Sequence, residues 1–287
     1  MAIVKKYLSK DKTIRMASIV STDLVQESIR HQSISALSLV LSGRLLTGTV
    51  LMASQLKEDQ TVGVYLKGDG PVGTLFAEAT YDGRVRSYCS HRNASQENLP
   101  TLGAGLGKGF MEVVRDLPFQ KEPHRGTVAI QTGEVADDIA YYLRQSQQIP
   151  AIVSLSVLPD ENGCAYAGGY IVELMPGYDE STLDKIERIQ AQVPAIGHLL
   201  EGGATAQDLI SDFLLNIPFD ELTHPHEVVY KCKCSVERME RSLMTLGATE
   251  IRQLISANEV MEVTCEFCGK VYEINPLQLQ RLLKQIT

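Results

Sequence analysis

No run of about 18 uncharged apolar residues, the least that crosses a membrane as a helix, occurs in this chain of 287 residues. Its opening stretch, M-A-I-V-K-K-Y-L-S-K, lacks the apolar centre of a secretion signal. These two absences predict a cytosolic protein with no membrane partner. A basic excess is lacking too: 27 Lys and Arg stand against 35 Asp and Glu, a formal net charge of −8. Residues 226–287 carry eight of each sign, so the whole deficit falls on residues 1–225, with 19 basic and 27 acidic. A module that grips nucleic acid neutralises phosphates with a basic face, and neither part of this chain offers one. No nucleic-acid partner is expected.

A complete phosphate-binding loop is missing as well. The glycine-rich run L-G-A-G-L-G-K-G-F, residues 102–110, approaches one, because glycines let backbone N–H groups close on an anion. A Walker-type loop needs glycine five residues ahead of the Gly-Lys pair and Ser or Thr behind it, where this chain has Leu102 and Gly109. The dinucleotide pattern G-x-G-x-x-G meets Lys108 at its last position. The run is expected to be a flexible loop. His31, His91, His124 and His198 stand in no H-x-x-E-H or G-x-S-x-G context, so no catalytic residue can be named and the chain is not expected to be an enzyme.

What is present is the balance of an ordinary globular protein, 44% hydrophobic and 22% charged, at a length that suits two or three domains. A strand is expected over residues 10–20, then one broken helix or two over 23–57, interrupted at Ser42-Gly43 and near Gly48. Strands follow at 61–67, 72–80 and 85–90, separated by G-D-G-P and Y-D-G-R, because Asp-Gly between alternating apolar residues turns a hairpin. A strand at 127–131, a helix at 137–147 and the strands 152–158 and 165–174 complete residues 1–175. This succession predicts an α+β domain on a mainly antiparallel sheet.

Met175-Pro176-Gly177 marks a boundary. Residues 176–225 read as helical: Leu183, Ile186, Ile189 and Val193 share one face after the cap Asp179, and Thr205 with Asp208 opens a second helix that Pro218 ends. So short a segment buries little by itself and must lean on a neighbour. Residues 226–287 form a small lobe, with helices capped by Ser235 and Thr249, a hairpin of 260–264 with 271–274, and a last helix opened by Asn275-Pro276.

In a reducing compartment six cysteines do not make a disulfide framework. Cys89 and Cys164 stand alone in expected strands and read as buried packing. The other four form two tight pairs, Cys232 and Cys234 in K-C-K-C-S and Cys265 and Cys268 in T-C-E-F-C-G-K, with 30 residues between the pairs. Four converging thiolates complete a tetrahedral Zn²⁺ shell, and a lobe of this size with a meagre core calls for such a staple. One zinc per chain is expected. His224 and His226 lie close to Cys232 but are not needed to fill the shell. C-x-x-C-G inside a hairpin is the common way to aim two sulfurs at one ion, whereas C-x-C requires a tighter bend.

Metal-bound thiolates remain deprotonated and oxidisable, and along the chain each sulfur's nearest partner is its own pair-mate. An oxidant would then form Cys232–Cys234 and Cys265–Cys268, replacing a staple across 30 residues by two that restrain almost nothing. Structural zinc contributes roughly 10–16 kcal/mol in small peptides, against about 5–15 kcal/mol for a whole domain. Its loss is expected to melt the lobe and loosen the helical segment, exposing Leu209, Ile210, Phe213 and Leu214.

The C-x-C, long insert, C-x-x-C arrangement, the segment E-G-G-A-T-A-Q-D-L-I at 201–210, and the order of α+β body, helical segment and zinc lobe resemble a known family over essentially the whole chain. It is that of the redox-regulated thirty-three-kilodalton heat-shock holdase chaperones of bacteria. The resemblance implies an ATP-independent chaperone of the cytoplasm, dormant while reduced and zinc-loaded. Oxidative stress with unfolding conditions would form the two local disulfides, release zinc and unfold residues 176–225 as a linker. The exposed surface would then hold unfolding client proteins. The resemblance further implies an active homodimer, with residues 1–175 as core and dimerisation domain and 226–287 as redox switch. The other reading of the cysteines is a zinc-ribbon-like nucleic-acid or partner-binding protein with a purely structural zinc site, and the neutral lobe counts against it.

Overall fold

The computed structural model describes residues 2–118, 120–222 and 226–286. Contacts group the chain into two compact units, Met1–Ile29 with Ser33–Lys231, and Arg30–Gln32 with Cys232–Thr287.

In the first unit β1 (Ala2–Ser9) and β2 (Ile14–Val20) pair antiparallel and lead into α1 (Thr22–Ile29) and α2 (Ala36–Ala53). A meander of β3 (Thr61–Gly68), β4 (Thr74–Thr80) and β5 (Arg84–Cys89) follows, then β6 (Gly109–Asp116), β7 (His124–Ala129) and α3 (Val135–Gln147). The hairpin of β8 (Ala151–Asp160) and β9 (Gly163–Leu174) precedes α4 (Glu180–Gln190), α5 (Ile196–Glu201), a 3-10 turn at Asp208–Ile210 and α6 (Ser211–Asn216). Two short strands, β10 (Phe219–Glu221) and β11 (His226–Tyr230), close the unit. The sheet runs β7-β6-β3-β4-β5-β11-β1-β2-β9-β8, with β10 also on β1. Its neighbours are antiparallel except β5 and β11, which are parallel.

The sheet packs around α2, which is buried along nearly its whole length, as a helix apolar on all sides must be. Among the described residues α2 is the one helix long and apolar enough to cross a membrane, and it lies inside the protein. It runs unbroken through Gly43 and Gly48, where the sequence pattern suggested interruption. A Cβ at Gly43 would stand 2.9 Å from Val25 Cγ1 and one at Gly48 2.4 Å from Ile139 Cδ1, so these glycines admit α1 and α3 against α2. The break falls before Ser35, whose side chain caps α2 by accepting from the Ser38 N–H.

The expected flexible loop at 102–110 is a packed turn. Gly103–Gly105 form a 3-10 turn, Gly105 sits against Leu37 and Leu41, and the Lys108 N–H donates to Asp69 Oδ1 at 2.7 Å. A carboxylate thus takes the donor that an anion would need. β1, β6 and β11 have no counterpart in the sequence expectation. β1 carries Lys5 and Lys6 in its middle and serves two cores, Ala2 and Val4 facing one and Tyr7 the other, which hides its alternation. β11 pairs with β1 and β5, both distant in sequence. It places Val228 in the main core and carries the first unit past the boundary expected at residue 225, to Lys231.

The helical segment covers the other face of the sheet. Tyr7, Met16, Tyr170 and Val172 from β1, β2 and β9 pack with Ile186, Ile196, Leu209, Ile210 and Phe213. Tyr170 meets Phe213 edge-on at 5.8 Å between ring centroids and donates from Oη to Gln190 Oε1 at 2.6 Å. The reciprocal cap expected at Thr205 and Asp208 is present: Thr205 N–H donates to Asp208 Oδ2 at 2.8 Å and Asp208 N–H to Thr205 Oγ1 at 3.4 Å.

The second unit contains α7 (Val236–Met244), α8 (Ala248–Ala257), the hairpin of β12 (Met261–Thr264) and β13 (Val271–Ile274), and α9 (Pro276–Ile286). Its buried apolar cluster consists of Leu243, Ile251, Ile274, Leu279 and Leu282. The expected α+β class, with a large mainly antiparallel sheet and a small cysteine-bearing lobe, is the observed one.

Candidate metal centre

Each cysteine pair is aimed by local backbone structure. The C-x-C bend lies between β11 and α7. Ser235 caps α7 by accepting from the Arg238 N–H at 3.3 Å, while Arg238 Nη1 donates back to the Lys233 carbonyl at 2.9 Å, closing the bend between the two sulfurs. The second pair sits on the turn of the β12–β13 hairpin. Cys265 N–H donates to the Lys270 carbonyl and Gly269 N–H to the Cys265 carbonyl, both at 2.9 Å. Gly269 takes φ +68°, a conformation that favours glycine.

The four sulfurs of Cys232, Cys234, Cys265 and Cys268 lie within 4.8 Å of one another. Cys232 Sγ is 3.6 Å from Cys265 Sγ and Cys234 Sγ is 3.4 Å from Cys268 Sγ, so these short contacts join sulfurs of opposite pairs. A tetrahedron with Zn–S bonds of about 2.3 Å has sulfur–sulfur edges of about 3.8 Å, and the cluster fits that size. His226 contributes its backbone to β11, and His224 lies outside the described residues.

Tyr272 is a site residue that the motifs did not reveal. Its Oη lies 3.0 Å from Cys234 Sγ and donates to it. A usable signal was there, since a buried tyrosine must find a partner for its hydroxyl and Tyr272 is one of two aromatic residues in 232–287, with Phe267. Burial, with the neighbouring thiols adding to it, holds Cys232 well above the usual thiol range, and burial pushes Cys268 up to about 11. Cys234 is lowered: burial opposes this, but the Tyr272 hydroxyl and the surrounding thiols outweigh it. The hydrogen bond to Cys234 keeps the Tyr272 proton in place, above the ordinary tyrosine range. A dication reverses the preference of the raised thiols, because a coordinated thiol gives up its proton outright.

Cys89 and Cys164 take no part. Both are buried in the first unit; burial raises Cys89, and burial together with Asp160 pushes Cys164 up to about 12. At pH 8 Cys164 is therefore held almost entirely as the thiol. Alkylation of the folded, reduced protein at that pH should leave both unlabelled while they react readily in denaturant. The Cys164 rate should climb about tenfold per pH unit towards 12. Mass spectrometry of labelled peptides checks this, and native labelling at the rate of an exposed thiol would refute it.

Fold and site together define a class: an α+β body whose sheet carries a helical cover, followed by a small lobe whose four sulfurs fit one metal ion. Within that class the chain belongs to the Hsp33 family, whose model, described as Hsp33 protein, matches residues 3–275. The 33 kDa chaperonin of Geobacter sulfurreducens is 36% identical over 288 residues, covering 98% of this chain and 95% of that protein. That of Desulforamulus reducens is 34% identical over 285 residues, covering 97% and 96%. The crystal structure of the 33 kDa chaperonin of Thermotoga maritima, an Hsp33 homologue, superposes with a TM-score of 0.89 at 27% identity over 99% of this chain and 98% of that one.

Proposed function

We propose that this chain is an ATP-independent holdase chaperone switched by oxidation of Cys232, Cys234, Cys265 and Cys268, which bind one Zn²⁺ while reduced. The observation that carries the proposal is the sulfur cluster itself. It joins two knuckles separated by 30 residues in a lobe whose buried apolar cluster has five members, so the lobe depends on its metal. The chaperone class follows from the family and from the names of the relatives. Residues 1–175 with β11 are assigned as core and dimerisation domain, 176–225 as linker and 232–287 as redox switch, in a protein of the cytoplasm that works as a homodimer on unfolding clients.

The bound cation keeps four thiolates together. Without it, only weak contacts such as the Tyr272 hydroxyl on Cys234 Sγ hold the two pairs face to face against the entropy of the intervening chain. Loop closure over about 30 residues costs roughly 2 kcal/mol more than over two, so oxidation of the four thiolates, which expels the metal, gives the local bridges Cys232–Cys234 and Cys265–Cys268. These bridges restrain little, and the loss of the lobe is coupled in this proposal to release of the helices α4–α6 from the sheet. Light scattering of a heat-denaturing client tests it. Peroxide-treated protein should suppress aggregation and reduced, zinc-loaded protein should not, with peptide mapping showing the two local disulfides. Equal protection in both states would refute redox control, and protection in neither would refute the chaperone assignment.

A further inference from the structure

We infer that Tyr272 is a positioning residue of the cysteine cluster: by donating its hydroxyl to the Cys234 sulfur it favours metal binding by that thiolate and slows its attack on a peroxide. The inference deepens the proposed redox function and rests on it.

The geometry is specific. Tyr272 Oη stands 3.0 Å from Cys234 Sγ, and the residue is 7% exposed and held on β13 opposite Val263 of β12. The hydroxyl therefore cannot swing away to water without opening the hairpin that carries Cys265 and Cys268. Lys270 Nζ lies 5.0 Å from the centre of the Tyr272 ring. A cation over a phenol ring is held by the ring's electrons, draws on them, and makes the O–H a stronger donor. The Cys234 donor is a side chain, so a single substitution removes it and leaves the backbone untouched.

The chemistry gives the direction of the effect. In the first step the Cys234 thiolate attacks one peroxide oxygen; the O–O bond breaks, a sulfenic acid forms and hydroxide leaves. The Cys232 thiolate then attacks the Cys234 sulfur and a second hydroxide leaves, giving the disulfide. Two sulfurs lose two electrons in all, and the peroxide accepts them and ends as water once the hydroxides are protonated. A hydrogen bond into the attacking lone pair makes the thiolate less basic, and thiolate reactivity falls with basicity with a slope of about 0.4–0.5. Removing the donor thus speeds the first step while weakening the grip on the metal.

Tyr272→Phe keeps the ring and its packing and deletes only the donor. In the full-length reduced protein, competition with a chromophoric chelator should show zinc affinity reduced about tenfold, the low end for loss of a residue that hydrogen-bonds a metal ligand. Zinc release by hydrogen peroxide should be about threefold faster. With Co²⁺ in place of zinc, the sulfur-to-cobalt charge-transfer band should move to lower energy, a shift that loss of packing alone does not produce. Lys270→Met, which leaves the hydroxyl in place, should move the same band by less in the same direction and covers the case in which Tyr272→Phe folds poorly. Unchanged affinity, release rate and band in both variants would overturn the role of Tyr272. A wild-type protein that fails to bind Co²⁺ or Zn²⁺ through four thiolates would instead overturn the zinc site on which the inference stands.

Discussion

Chelating the metal under reducing conditions is expected to unfold residues 236–286 and leave the sheet itself folded. The three helices of the lobe have 9, 10 and 11 residues, below the length at which an isolated helix holds in water. Its hairpin has two strands of four residues each, marginal alone. A buried apolar cluster of five side chains among the described residues cannot order such pieces without help. A structural zinc site supplies roughly 10–16 kcal/mol in small peptides, more than the lobe has from packing, so the effect is all or none. Hydrogen exchange should show loss of protection throughout α7, α8, α9 and the hairpin, with β2, β3, β4 and β9 unchanged. Cys265→Ser should behave like the chelated protein even with zinc present, because Cys265 is the most buried of the four cysteines, 3% exposed. A lobe that keeps its protection without metal would refute the staple.

Phe213→Asp should make the reduced, zinc-loaded protein suppress aggregation without any oxidant, to within about twofold of peroxide-treated wild type. Phe213 is fully buried against Tyr170 on the face of the sheet that the helical segment covers. Replacing a buried phenylalanine by alanine costs about 3–5 kcal/mol, and burying an unpaired carboxylate there adds several more. Two ways out exist, and their costs differ. Unfolding the first unit would dismantle the whole sheet and the packing around α2. Releasing α4–α6 exposes only the smaller cluster and puts the carboxylate in water. The second is cheaper, so the helices should leave and uncover Met16, Tyr170 and Val172. Zinc content must stay at one per chain, which separates this route from damage to the lobe. A variant that keeps its zinc, loses the Tyr170–Phe213 contact and still fails to hold a client would show that release of this cover is not what activates the protein.

The site was legible in the sequence because its information is local. Two cysteines with one residue between them and two with two between them can be aimed at one point by a single bend and a single turn, whatever the rest of the chain does. The hairpin around Cys265 and Cys268, the caps at Ser235 and at Thr205 with Asp208, and the apolar face of the helical segment are of the same kind. Tyr272 was missed because nothing in V-Y-E-I says which sulfur its hydroxyl meets; that depends on how the hairpin lies against the C-x-C bend.

By itself, then, the amino-acid order determined the α+β class and which four cysteines come together. It could not show that Gly43 and Gly48 admit neighbouring helices rather than break α2, because the clashing atoms belong to Val25 and Ile139. Nor could it place β11 inside the sheet, where its partners β1 and β5 are remote along the chain. The sulfur contacts of 3.6 and 3.4 Å between Cys232 and Cys265 and between Cys234 and Cys268 also belong to the tertiary structure. Spacing sets which cysteines are neighbours along the chain, but only the packed lobe brings opposite pairs together, and that difference is what an oxidant would exploit.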